Sequence, residues 1–121
     1  MERLIKQGKG WRLGWNFQAS LFQGLVGGED WALELTAAEF DDFCRLLIQL
    51  AETFQQMSYE LMDEEKLRCE VESDLLWLEA SGYPQAFSLR LLLQQGRRGE
   101  GAWYAPAVPD LIQAAQTIKV F

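Results

Sequence analysis

From Trp11 onward, large apolar residues occupy every second position, Trp11, Leu13, Trp15 and Phe17, with Arg12, Gly14 and Asn16 between them. Successive side chains of a strand point to opposite faces, so this spacing predicts a strand whose rings face a core and whose Arg12 and Asn16 face outward. Residues 19–26 read as a second strand. Gly27-Gly28-Glu29-Asp30 reads as the hairpin turn that closes it, because glycine reaches positive φ without steric cost. Trp31, Leu33 and Leu35 alternate with Ala32 and Glu34 and give a third strand.

The period then lengthens to three and four. Thr36-Ala-Ala-Glu39 has the form of a capping box, in which the threonine hydroxyl accepts from the amide of Glu39 while the glutamate reaches back. Phe40, Phe43, Cys44, Leu47, Leu50, Ala51, Phe54, Met57 and Leu61 follow as one apolar stripe, opposite Asp41, Asp42, Gln49, Glu52, Gln55 and Gln56. A membrane-seeking helix carries lysine and arginine opposite its stripe, whereas this acidic and amide face suits a helix packed on a sheet. Residues 63–66 are a solvated connection.

Four more strands are predicted. Leu67, Cys69 and Val71 alternate with Arg68, Glu70 and Glu72; residues 75–80 are almost wholly apolar; Phe87, Leu89, Leu91 and Leu93 alternate with Ser88, Arg90 and Gln94; residues 102–105 form a short last strand. Gly82-Tyr83-Pro84 and residues 96–101 supply turns. Pro109 suits the first turn of a second helix, with Asp110 favourably placed against the helix dipole, and Val108, Leu111, Ile112, Ala115 and Ile118 form its stripe. The pattern describes one α+β domain in the order βββ-α-ββββ-α, with helices on one face of curved antiparallel sheet. Its half-repeats, about 1–62 and 63–121, repeat element order rather than sequence.

Composition narrows the chemistry. A chain of 121 residues is the size of one domain able to bury its own core. No apolar run approaches the roughly 20 residues needed to cross a bilayer, and residues 1–10 lack the apolar segment of a secretory signal, so a cytoplasmic protein with no membrane association is expected. Histidine is absent, which excludes imidazole-activated nucleophiles, histidine-ligated metals and the imidazole pH switch. Cys44 and Cys69, far apart on apolar faces, read as small hydrophobes rather than as a disulfide.

Charge is segregated along the chain. Of the net −7, residues 1–28 carry Arg3, Lys6, Lys9 and Arg12 against Glu2 alone, residues 29–82 carry 15 acids against Arg45, Lys66 and Arg68, and residues 83–121 are again basic. Paired ends would present a basic surface on an acidic molecule. Gly96-Arg-Arg-Gly-Glu-Gly101 lacks the lysine and hydroxyl of a P-loop and reads as a basic hairpin tip. Of the neighbouring rings, Trp103 is assigned to the core and Tyr104 to solvent, where a base would stack beside Arg97 and Arg98. Arg68 and Arg90 are expected to pair across strands with Glu70, Glu72 or Glu34. The candidate binding surface is Arg12, Asn16, Arg90, Arg97, Arg98 and Tyr104, with no catalytic residue, cofactor or metal.

The segments GWRLGWN (residues 10–16), WALELT (31–36) and GAWYAPAVPDL (101–111) resemble those of a small cyanobacterial protein family of unknown function, along essentially the whole chain. Members of that family are similar in fold to Whirly-type single-stranded-DNA-binding transcriptional regulators, in which a sheet followed by a helix is duplicated about a pseudo-twofold axis. The resemblance implies the same architecture in a cyanobacterial cytoplasm. The expected function is a non-enzymatic interaction module with a protein partner. The alternative is a single-stranded nucleic-acid binder, and a carboxylate-based hydrolase comes third. The long first helix is compatible with a monomer or a homodimer.

Overall fold

In the computed structural model, which describes residues 3–59, 65–94 and 96–118, two four-stranded sheets are each followed by a helix. The first half contains β1 (Leu4–Gly8), β2 (Trp11–Trp15), β3 (Gly24–Gly27), β4 (Ala32–Leu35) and α1 (Ala37–Ser58). The second contains β5 (Leu67–Glu72), β6 (Leu76–Tyr83), β7 (Ala86–Leu93), β8 (Glu100–Trp103), a 3₁₀ turn over Ala105–Ala107, and α2 (Val108–Thr117). Both sheets are antiparallel with strands in sequence order, so the order is ββββ-α repeated. Three strands were expected before the first helix and four are found. β1 escapes the pattern because it is an edge strand with Leu4 and Ile5 exposed, held by its ladder to β2 from Leu4 opposite Trp15 to Gly8 opposite Trp11.

Period-two alternation in β2 buries Trp11, Leu13 and Trp15, and Trp15 stacks on Phe40 of α1 with centroids 5.4 Å apart. Phe17 departs from the expected inward row and stands 53% exposed. The cause is Asn16, whose Oδ1 accepts from the Gln18 amide at 3.1 Å, an Asx turn that ends the strand. Its own amide donates to the Gln23 carbonyl at 2.8 Å, so residues 16–23 form a closed loop and the predicted second strand shrinks to β3.

The capping box at Thr36 and Glu39 is formed, with Thr36 N donating to Glu39 Oε1 at 2.9 Å and Glu39 N to Thr36 Oγ1 at 3.2 Å. Phe40, Phe43, Leu46, Leu47, Leu50 and Phe54 of α1 are buried, each such side chain contributing about 2 kcal/mol. Leu61 and residues 63–64 lie outside the described residues. α1 packs on β3, β4, β5 and β6, and α2 packs on β2, β7 and α1, so the helices join the inner faces of both sheets in one core. β6 runs through Gly82, leaving Pro84-Gln85 as the turn, and β8 begins at Glu100 rather than at residue 102.

Two indoles stitch the sheets together. Trp31 Nε1 donates to the Ala102 carbonyl of β8 at 3.1 Å, and Trp103 Nε1 of β8 donates back to the Gly27 carbonyl of β3 at 2.8 Å. Their rings lie 4.9 Å apart, tilted by 60°. The close fit requires small neighbours: a Cβ on Gly28 or on Gly101 would stand 2.2 Å from the Trp31 indole.

Arg68 and Arg90 do pair across strands, but with acids other than those expected: Arg68 with Glu79 of β6, and Arg90 with Glu100 of β8 at 3.7 Å. Glu34 belongs to the other sheet. Cys44 and Cys69, both half-buried, are not joined in a disulfide, and Cys69 Sγ lies 3.4 Å from Met57 Sδ. Among the described residues no helix is long and apolar enough to cross a membrane.

Candidate functional site

At one end of the indole seam three turns meet. The β1–β2 turn brings Lys9 and Gly10, the β3–β4 turn brings Glu29, Asp30 and Trp31, and the chain leaving β8 brings Ala102, Trp103, Tyr104, Pro106, Ala107 and Asp110. They enclose a cleft of about 520 Å³, within the usual range of ligand pockets. Gly10 makes its turn at φ +85° and passes so near α2 that a Cβ there would lie 3.3 Å from Ala107 Cβ. All three segments singled out above, GWRLGWN, WALELT and GAWYAPAVPDL, enter this cleft at their first residues or along their length.

The floor is aromatic and the rim acidic. Trp103 is 1% exposed and fixed by its bond to Gly27, whereas Tyr104, one residue on, turns outward and is 83% exposed. Trp31, half-buried, lies against Trp103. Its carbonyl is held twice, by the Gly28 amide at 3.0 Å and by Arg12 Nη2 at 3.3 Å. Exposed Glu29, Asp30 and Asp110 face Lys9, an excess of two negative charges. The lining contains no serine, threonine or cysteine. Among the described residues no group of three or more acids and cysteines is placed to hold a metal ion.

The six residues expected to form a binding surface are dispersed. Arg12 packs over Gly27 and serves the Trp31 carbonyl; Asn16 closes the 16–23 loop. Arg90 sits on the outer face of the second sheet in its pair with Glu100. Arg97, expected at a solvent-facing tip, instead folds back onto the first half. Its guanidinium pairs with Glu39, donates to the Glu34 carbonyl, and stacks 4.6 Å above the Phe22 ring. Arg98 takes a left-handed conformation, φ 56°, and is exposed. Tyr104 alone of the six lines the large cleft.

Residues that sequence reasoning left out, Lys9, Glu29, Asp30, Trp31 and Asp110, make most of the polar and aromatic lining. Their signal was present but dispersed, because each belongs to a turn or a helix start: Trp31 and Asp110 lie within the quoted segments, and Lys9, Glu29 and Asp30 just before them. Trp31 looked like an ordinary inward strand residue because it precedes an alternating run.

A geometric parallel comes from a cyanobacterium. A crystal structure of a protein of unknown function, assigned to the DUF155 family, from Prochlorococcus sp. NATL2A is similar to this chain with a TM-score of 0.90 and 25% identity, covering 95% of this chain and 98% of that one. A comparison with curated proteins returns no match. The family model described as "Domain of unknown function (DUF1818)" matches residues 6–118, a span holding both sheets apart from the start of β1, both helices and the whole cleft, and the chain belongs to that family.

Proposed function

We propose that this protein is a non-enzymatic interaction module of the cytoplasm that receives an element of a protein partner in the Trp31–Tyr104 cleft. The observation that carries the reading is the cleft itself, which an outward tyrosine lines together with two fixed indoles and a charged rim. Exposed aromatic rings beside fixed ones are what interface hot spots are made of. The chain offers no imidazole, and the cleft is lined by no serine, threonine or cysteine, so the Tyr104 phenol is its one side-chain hydroxyl. Its three carboxylates stand in solvent, whereas a carboxyl acting as general acid is one withdrawn from water, which argues against a hydrolase.

Single-strand nucleic-acid binding is the second reading, favoured by Tyr104 as a stacking ring and by the ββββ-α repeat, which has the sheet-then-helix duplication of the Whirly-type regulators. Against it, the rim would repel phosphates, and Arg12, Arg90 and Arg97 are already engaged by groups of the protein. Similarity of fold alone does not carry an activity across.

Photo-crosslinking decides between the two. With benzoylphenylalanine in place of Tyr104, irradiation in the native cell is expected to yield an adduct with one protein that excess wild-type protein competes away. An adduct with nucleic acid transfers the conclusion to the second reading, and no adduct overturns both.

A further inference from the structure

We infer that the group received by the cleft is a guanidinium, presented by an arginine of the partner's chain. The inference rests on the interaction reading above and specifies its chemistry. Two features of the cleft, its acidic rim and its exposed ring, point to a planar cation. The rim holds Glu29, Asp30 and Asp110 against Lys9, so a cation entering it is drawn inward and an anion repelled. Tyr104 offers an exposed ring face above the mouth, and a guanidinium stacks on such a face while its N–H groups remain free at the edges. The carboxylates that line the same cleft can accept such N–H groups, often two at a time.

The molecule already contains this arrangement in a completed form. Arg97 lies over the Phe22 ring with its edges taken by the Glu39 carboxylate and the Glu34 carbonyl. A ring, a carboxylate and solvent-side acceptors therefore hold a guanidinium elsewhere in this fold, and the cleft presents the ring and the carboxylates without the guanidinium. Two further cavities lack the combination. One, of about 340 Å³ beside Pro84 and Pro109, is lined by no charged residue. The other, of about 180 Å³ on the outer face of the first sheet, balances Arg3 against Glu34. An ammonium would satisfy the charge but not the stack, so arginine is preferred to lysine. The overall charge of −7 steers a basic segment toward the protein before it docks.

The test is a titration of ¹⁵N-labelled full-length protein, followed by NMR, with a nonapeptide of glycine and serine around one central arginine. Parallel titrations use the same peptide with citrulline, the neutral isostere, and with glutamate at that position. The arginine peptide is expected to shift the Trp31 indole N–H and the backbone amides of residues 102–110, and to bind about tenfold more tightly than the citrulline peptide. Asp110→Asn and Glu29→Gln, both at exposed positions, should each weaken the arginine peptide and leave resonances outside the cleft in place. Equal binding of the arginine and citrulline peptides overturns the guanidinium assignment while leaving the interaction reading intact. Tighter binding of the glutamate peptide, or no shift at the cleft with any peptide, overturns the assignment as well. The crosslink at position 104 reports on the interaction reading independently.

Discussion

Replacing Arg97 by methionine tests whether this arginine is a clamp of the fold or a spare cation. Methionine keeps an unbranched stem over Phe22 and removes only the guanidinium. Glu39, whose side chain is 5% exposed, would then keep its bond from the Thr36 amide but lose its counter-charge. Removing one partner of a fully buried pair costs about 3 to 5 kcal/mol, because the other charge stays behind in a poor environment. Arg97 is 31% exposed, so water reaches part of the vacated space and the cost falls to about 2 kcal/mol. In urea this should lower the unfolding midpoint by about 1 M. In a thermal scan it should lower Tm by about 8 °C for a domain of this size. Glu39→Gln retains an acceptor for the capping box and removes the charge. In the Arg97→Met background it should therefore cost much less than alone, with a coupling of about 1 to 2 kcal/mol in the double-mutant cycle. Additive effects, together with a cost below about 0.5 kcal/mol for Arg97→Met, would refute the clamp and return Arg97 to the pool of ligand-binding cations.

Two further outcomes follow from the packing. Gly101→Val places a side chain 2.2 Å from the Trp31 ring at its Cβ alone, so the indole must leave its seat; about 1 to 3 kcal/mol of stability should be lost, with a red shift of tryptophan emission as the ring enters water. A blue shift, or no change in midpoint, contradicts the seam. Burial pushes the Cys69 thiol above its ordinary pKa, so the unfolded chain ionises first. The stability this thiol contributes is intact below the ordinary thiol range and is lost as pH climbs through that range to the folded value. In a Cys44→Ala protein, alkylation of Cys69 by iodoacetamide should accordingly reach half-maximal rate at a higher pH than free cysteine does, and a lower midpoint would show a thiolate-stabilising environment instead.

What could be read from the sequence was whatever depends on nearest neighbours along the chain. Thr36 and Glu39 are three residues apart and satisfy each other, so the start of α1 was legible to the residue. The alternations in β5 and β7 were legible because one face of each strand packs against the core, partly buried in β5 and more fully in β7. β1 was not, since an edge strand with exposed Leu4 and Ile5 is held by backbone pairing, which leaves no periodic trace. Asn16 looked like an outward strand position because its hydrogen bond to Gln18 is a choice between two local geometries, and the alternation alone favoured the wrong one. At the candidate site, the outward turn of Tyr104 and the inward turn of Trp103 were legible as strand alternation. The cleft was not, because Lys9, Glu29 and Asp110 meet only after two sheets have docked. Arg97 shows the same limit: its partners Glu39 and Glu34 are 58 and 63 residues away.

The docking of the sheets also divides the cleft into a rigid part and an adjustable part. Trp31 is fixed at both ends, its indole by the Ala102 carbonyl and its backbone carbonyl by Gly28 and Arg12, and its faces are confined by Gly28 and Gly101. Such a ring loses little conformational entropy when a ligand arrives, so a contact with it contributes more of its gross energy to binding. Tyr104 and the rim acids are exposed, and on the proposed reading they carry the charge and the outer ring that choose the ligand. Substitution therefore separates two properties that usually move together at an interface. If the cleft receives a ligand as proposed, changes at Glu29, Asp30, Asp110 or Tyr104 should alter recognition with the fold intact, whereas changes at Gly28, Trp31 or Gly101 should disturb the seam between the halves and remove the floor of the cleft with it. A family that keeps this seam can alter its ligand through the rim alone, because the residues that hold the halves together are not the ones that set its charge.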